Sequence, residues 1–223
     1  MRLAPVRGAP RPVVRAGSVR DALRAIATVR PDPALLRLEF CRVRALLDQA
    51  RRQLRERLAE GVPVAEVARA EARLLDGTIL GLCHLGHLLE PAPADMAPPL
   101  AVIARGDYGG RQLGPGTSAG LLFLVAGDPV PRERGVAVAQ FVARELAGLG
   151  WQACGAKRTV RGCLAETHLD PAIASDLFAA RLIWGSRGLF ADLRAGLAQV
   201  TSRGQSRMMW ATPDRSARPV LAA

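Results

Sequence analysis

Gly106-Asp-Tyr-Gly-Gly-Arg-Gln-Leu-Gly-Pro-Gly-Thr-Ser-Ala-Gly-Leu-Leu-Phe-Leu124 decides how this chain is read. Glycines accept positive φ and let backbone N–H groups approach a ligand with no Cβ in the way. Several such amides in succession form an anion-binding nest. With Arg111 beside them and an apolar strand following, the segment suits a triphosphate cradle; on spacing alone, a plain glycine-rich turn between two strands fits it as well. Leu100–Ala104 before it and Leu121–Val125 after it read as short apolar strands.

Outward from this segment the chain divides by pattern. Residues 1–33 are rich in Arg, Pro and Gly and read as a flexible arm, with a short helix around 19–28. Leu36, Phe40, Val43, Leu47, Leu54 and Leu58 recur at helical steps, and Gly61 follows as a stop, so 34–60 is an amphipathic helix. A second helix runs from Pro63 to about Leu89, its last two turns apolar all round, completing a helical unit over 34–91. Pro91, Pro93, Pro98 and Pro99 form a linker to a domain spanning 98–200. Within it, Gly127–Pro131 reads as a turn, and Val138, Phe141, Val142, Leu146 and Leu149 mark a helix. A third strand is expected in 151–160, then helices near 161–168, over 171–184 with Pro171 in the first turn, and around Leu189, Leu193 and Leu197. Residues 201–223 lose periodicity and read as a basic disordered tail. The expected fold is α/β (α+β): a small mixed, twisted sheet flanked by helices, with the glycine segment joining two adjacent strands and a helical N-terminal unit packed on it.

Composition excludes several classes. The hydrophobic fraction of 49% supports a packed core, built from aliphatic residues because aromatics are only 4%. No apolar run is long enough for a transmembrane helix, so none is expected. The N-terminus has arginines but no apolar core of a secretory signal, and its prolines argue against a transit peptide. The net charge of +11 points to nucleic acid only weakly, because it is spread along the chain and nearly all arginine, with Lys157 the single lysine. Cys41, Cys83, Cys154 and Cys163 form no C-x-x-C pair and read as reduced thiols of a cytoplasmic protein. Cys83, His84 and His87 lack the further ligands a zinc site needs and read as packing residues, so no metal site is expected there.

The central segment resembles the pattern G-G-Y-G-R-G-E-L-x-P-x-S-D-x-D-L-L of the PII uridylyltransferase family. Gly106, Tyr108, Gly109, Leu113, Pro115, Leu121 and Leu122 match; Thr117 stands for the serine, and Gly110-Arg111 reverses the Arg-Gly order. Downstream, Arg158-Thr159 with Cys163, Asp170–Leu177, Ala180–Gly185 and Leu189-Phe190 resemble further family segments in the same order, so the likeness covers about 35–200. The resemblance implies a nucleotidyltransferase module that moves a uridylyl group from UTP to the signalling protein PII, with Mg²⁺ as cofactor. The chain ends where that family's uridylyl-removing domain would begin, and no H-D metal motif is present. Gly106, Tyr108, Gly109, Arg111, Thr117 and Ser118 are the nucleotide-contact candidates. Tyr108 is equally suited to packing. Arg181 matches a family arginine and also suits an ion pair among the helices.

The departures bear on chemistry. Two carboxylates at i and i+2 of a strand share a face and hold the metals that clamp a triphosphate. The family's acid positions are Ser118 and Gly120 here, so no catalytic pair is intact. Losing that charge stabilisation removes several kcal/mol, a few orders of magnitude in rate. Asp107 lies inside the loop and Asp128 beyond the strand, and neither restores the spacing. The expectation is a catalytically degenerate nucleotidyltransferase-like domain that binds Mg²⁺ weakly if at all. The other readings are a residually active enzyme and a helical scaffold.

Overall fold

The computed structural model of the chain describes residues 16–28, 33–89, 98–114 and 116–210. Three helices come first: α1 (Ala16–Thr28), α2 (Pro33–Ala59) and α3 (Val64–Leu89). α2 ends where Gly61 adopts φ +88°. There the Val62 N–H bonds the Arg57 carbonyl and the Gly61 N–H bonds the Leu58 carbonyl, which is a Schellman close. The apolar-all-round end of α3 packs as its composition demands, with Gly81, Leu82, Cys83, Leu85 and Gly86 buried. The short helix expected around 19–28 is α1, and it docks on α3. Val19 and Leu23 of α1 are fully buried, and Leu23 sits so close to Gly81 that a Cβ there would lie 2.6 Å from the Leu23 Cβ. The arm's remaining residues, and most of the proline linker, lie outside the described residues.

The rest builds one sheet. β1 (Leu100–Ala104) leads through a one-turn helix, α4 (Gly106–Gly109), to β2 (Ala119–Val125). α5 (Pro129–Gly148) returns the chain to β3 (Ala153–Arg158). α6 (Val160–Leu169), α7 (Pro171–Phe178), β4 (Arg181–Gly185) and α8 (Arg187–Trp210) complete it. The order is β3-β2-β1-β4, with β1 antiparallel to β2 and β4, and β2 parallel to β3. A parallel pair needs a long crossover, which α5 supplies. The mixed sheet flanked by helices, with the glycine segment between adjacent strands, is the architecture expected from sequence.

Three boundaries differ from expectation. The turn at Gly127–Pro131 is shorter, because Pro129 opens α5 directly and a proline is accommodated where the first N–H is unpaired anyway. Asp128 precedes that helix, but its side chain makes no capping hydrogen bond. The helix expected over 171–184 stops at Phe178, and Arg181–Gly185 is the edge strand β4, because its backbone groups pair with β1. The expected tail is helical to Trp210; 211–223 lie outside the described residues. Thr159 and Asp170 cap α6 and α7, accepting from the Gly162 and Ala172 N–H groups.

Strand alternation assigns each face of the sheet to its own helical layer. Leu100, Val102, Ala104, Ala119, Leu121, Phe123 and Val125 bury against α1, α2, α3 and α5. Ala101, Ile103, Leu122 and Leu124 bury against α6, α7 and α8, through Cys163, Leu177, Leu193 and Leu197.

Candidate functional site

The glycine segment is a compact turn rather than an open loop. β1 ends at Ala104, Arg105 stays extended, and Gly106 at φ +58° starts α4. The Gln112 N–H returns to the Asp107 carbonyl at 2.8 Å, and Thr117 bonds the Gly114 carbonyl through both its N–H and its hydroxyl. Among the described residues, Arg111 is the one non-glycine with positive φ, at 59°. That position is a glycine in the family pattern, so the reversed Gly110-Arg111 order places a side chain where the backbone favours none.

The six contact candidates separate by exposure. Tyr108 is only 1% exposed, and its hydroxyl donates to Asp76 Oδ1 at 2.6 Å. Arg181 Nη2 donates to the same oxygen at 2.7 Å, and the guanidinium lies 5.0 Å from the Tyr108 ring centroid. Burial, reinforced by the Asp76 carboxylate, holds the phenol well above its ordinary pKa. Asp76 thus ties α3 to the glycine turn and to β4, and Arg181 makes its ion pair from the sheet to the helical layer rather than among the helices. Gly109 is also inside: a Cβ there would lie 2.5 Å from the Ala179 carbonyl oxygen and 3.2 Å from that of Ala104. Arg111, Thr117 and Ser118 are exposed and Gly106 half-buried. Pro115 lies outside the described residues.

The two acid positions precede and enter β2. By alternation they share the sheet face of Leu122 and Leu124, toward α6–α8. Sequence reading did not foresee what fills the space beside them. A Cβ on Gly120 would lie 3.0 Å from the Arg105 carbonyl oxygen and 3.1 Å from Arg105 Cγ. The Arg105 guanidinium donates to Asp176 Oδ2 of α7 at 2.8 Å. Where the family pattern carries two carboxylates, this chain sets an arginine side chain against a glycine and pairs it with an acid 71 positions away. Asp107 is exposed on α4. A magnesium ion needs carboxylate oxygens; Ser118 and Gly120 provide none, and Asp176 is engaged by Arg105, so these residues do not fit that cofactor.

Other sequence candidates resolve simply. Consecutive Cys83 and His84 are buried and exposed respectively, and His87 packs edge-on to Trp184 at 5.9 Å. No group of three or more His, Cys, Asp or Glu side chains placed to hold a metal occurs among the described residues. Arg158 pairs with Glu166 of α6. Burial, with Glu166 nearby, raises the Cys163 thiol pKa, and burial does the same to Cys83. No helix among the described residues is long and apolar enough to cross a membrane.

A strand, a glycine turn and an antiparallel second strand presenting two same-face positions define a nucleotidyltransferase-like module. Known proteins agree. The chain is 32% identical over 147 residues to the bifunctional uridylyltransferase/uridylyl-removing enzyme of Gluconobacter oxydans, a match covering 66% of this chain and 15% of that enzyme. Enzymes of the same name from Azospirillum brasilense and Thiobacillus denitrificans are 28% identical over 164 residues and 29% over 154, covering 73% and 69% of the chain and 17% of each enzyme. The chain is a divergent relative of the bifunctional uridylyltransferase/uridylyl-removing enzymes, and it spans about one sixth of their length. No protein-family model matches it.

Proposed function

We propose that this chain is a nucleotide-binding module derived from a uridylyltransferase that does not perform metal-dependent uridylyl transfer. The observation that carries this reading is the Arg105 side chain against Gly120, at a position where the chemistry needs a metal-binding carboxylate. The exposed part of the turn around Gly110, Arg111 and Gly116 is the surface offered to phosphates, with the Arg111 side chain as its cation. Tyr108 and Gly109 act from inside, shaping the turn. UTP is the nucleotide the relatives' name points to, and a PII signalling protein in the cytoplasm is the partner that the resemblance carries.

Isothermal titration with UTP, with and without Mg²⁺, tests the reading. The expected result is binding whose affinity Mg²⁺ does not improve, together with no label transfer from UTP to purified PII. Mg²⁺-dependent binding with turnover would overturn it and restore the enzymatic reading, in which Asp107→Asn would abolish activity. A separable helical scaffold finds less support, because α3 is bound to the sheet layer through Asp76 and through Gly86, whose added Cβ would lie 2.9 Å from the Phe141 ring.

A further inference from the structure

The face of the sheet opposite the acid positions carries a cavity of about 230 Å³, enclosed by α2, α3, the signature turn and the residues leading into β3. Its wall includes Arg51 and Arg55 of α2, Glu71 of α3, Gly116 and Thr117 of the turn, and Trp151. Glu71 is the unusual member. It is only 7% exposed. Among the described residues it has no hydrogen-bond partner, and no cationic nitrogen lies within 4.0 Å of its carboxylate. Burial raises its pKa, while Arg51 and Arg55 act from a distance to lower it. Its oxygens are not among the sealed, unpartnered atoms of the described residues, so the carboxyl keeps part of its hydration through the cavity, which an occupant would have to replace. Arg51 is held in place on the other wall: its guanidinium stacks 4.1 Å from the Trp151 ring centroid and donates to the Gly150 carbonyl at 3.1 Å.

The cavity therefore sets a buried acceptor against two cations. A simple anion would meet the Glu71 carboxylate, and a simple cation would meet the arginines. A molecule carrying both charges satisfies both walls. The volume falls below the range typical of drug-sized ligands and suits something the size of a free amino acid. We propose that this cavity binds a small zwitterion, its ammonium or other N–H-bearing end on Glu71 and its anionic end on Arg51 and Arg55. Because Gly116 and Thr117 form part of the wall, the occupant touches the same turn that carries Ser118.

The test is titration of the full chain, free of nucleotide, with glycine, serine, glutamate and arginine, read by calorimetry and thermal shift. Acetate and methylammonium serve as single-charge controls. At least one of the four amino acids is expected to bind saturably at millimolar concentration, and each control at least about tenfold more weakly. Glu71→Gln and Arg55→Ala should each weaken that binding by about tenfold or more. Arg55 is exposed, so its variant remains informative if Glu71→Gln fails to fold. Absence of binding by all four, affinity unchanged in a folded variant, or acetate binding as tightly as the amino acids would overturn the proposal. None of these outcomes depends on whether UTP binds.

Discussion

Arg111 holds a left-handed backbone conformation that costs a residue with a Cβ roughly 1–2 kcal/mol. Arg111→Gly should therefore raise stability by about 1 kcal/mol, read as a higher Tm; an unchanged or lower Tm would show that the strain is not the dominant effect at this position. Gly120 has the opposite constraint. Gly120→Asp must push Arg105 aside and should cost about 1–3 kcal/mol in denaturant unfolding. For the same reason, Ser118→Asp with Gly120→Asp should not confer Mg²⁺-dependent UTP binding while Arg105 remains, whereas adding Arg105→Ala should allow it; calorimetry with and without Mg²⁺ distinguishes the two. Glu71 gives a pH signature. Its folded pKa is raised, so the folded state holds the proton more tightly than the unfolded chain does. Stability from this group is greatest when the carboxyl is protonated and falls as pH rises from the ordinary carboxylate range through the folded pKa. Glu71→Gln should be more stable than the parent at pH 8, and that advantage should shrink on acidification, as followed by Tm across the range.

Among the elements, α1 is the clearest case of a segment that composition misrepresents. Its arginines and neighbouring prolines suggest a solvated arm carrying a short helix, and what composition hides is the docking: Val19 and Leu23 are fully buried and Gly81 leaves room for Leu23. Leu23→Ala should cost about 2–5 kcal/mol in chemical denaturation, where a free arm would show no change. The long helices were legible because their apolar residues recur with period 3.6, and β1 and β2 because short apolar runs flank the glycines. β4 was not, since Ala180-Arg-Leu-Ile-Trp184 follows a helical stretch and a short apolar run has no period of its own. What settles it is pairing with β1, some eighty positions earlier by residue number (185 − 101 = 84). The candidate site divides the same way. The turn and the two vacant acid positions can be read locally. Asp76, Arg105, Asp176 and Glu71 cannot, because each gains its meaning from partners or walls distant in sequence.

Across the whole molecule, Asp76 joins the helical layer to the sheet through two hydrogen bonds, one reaching 105 positions along the chain. Asp76→Ala leaves the buried Tyr108 hydroxyl and the largely buried Arg181 guanidinium without that partner. It should cost about 1.5–3 kcal/mol, with one cooperative transition retained if the two layers unfold together. The close fit of Gly109 under Ala179 has a consequence for the order of assembly. The turn is synthesised seventy residues before the backbone that covers it (179 − 109 = 70), and its tyrosine waits longer still for Arg181. While the chain is being made, the signature segment must therefore emerge uncovered and take its final shape only when the α7–β4 junction arrives, so the family's most recognisable stretch should be among the last parts of the protein to be set.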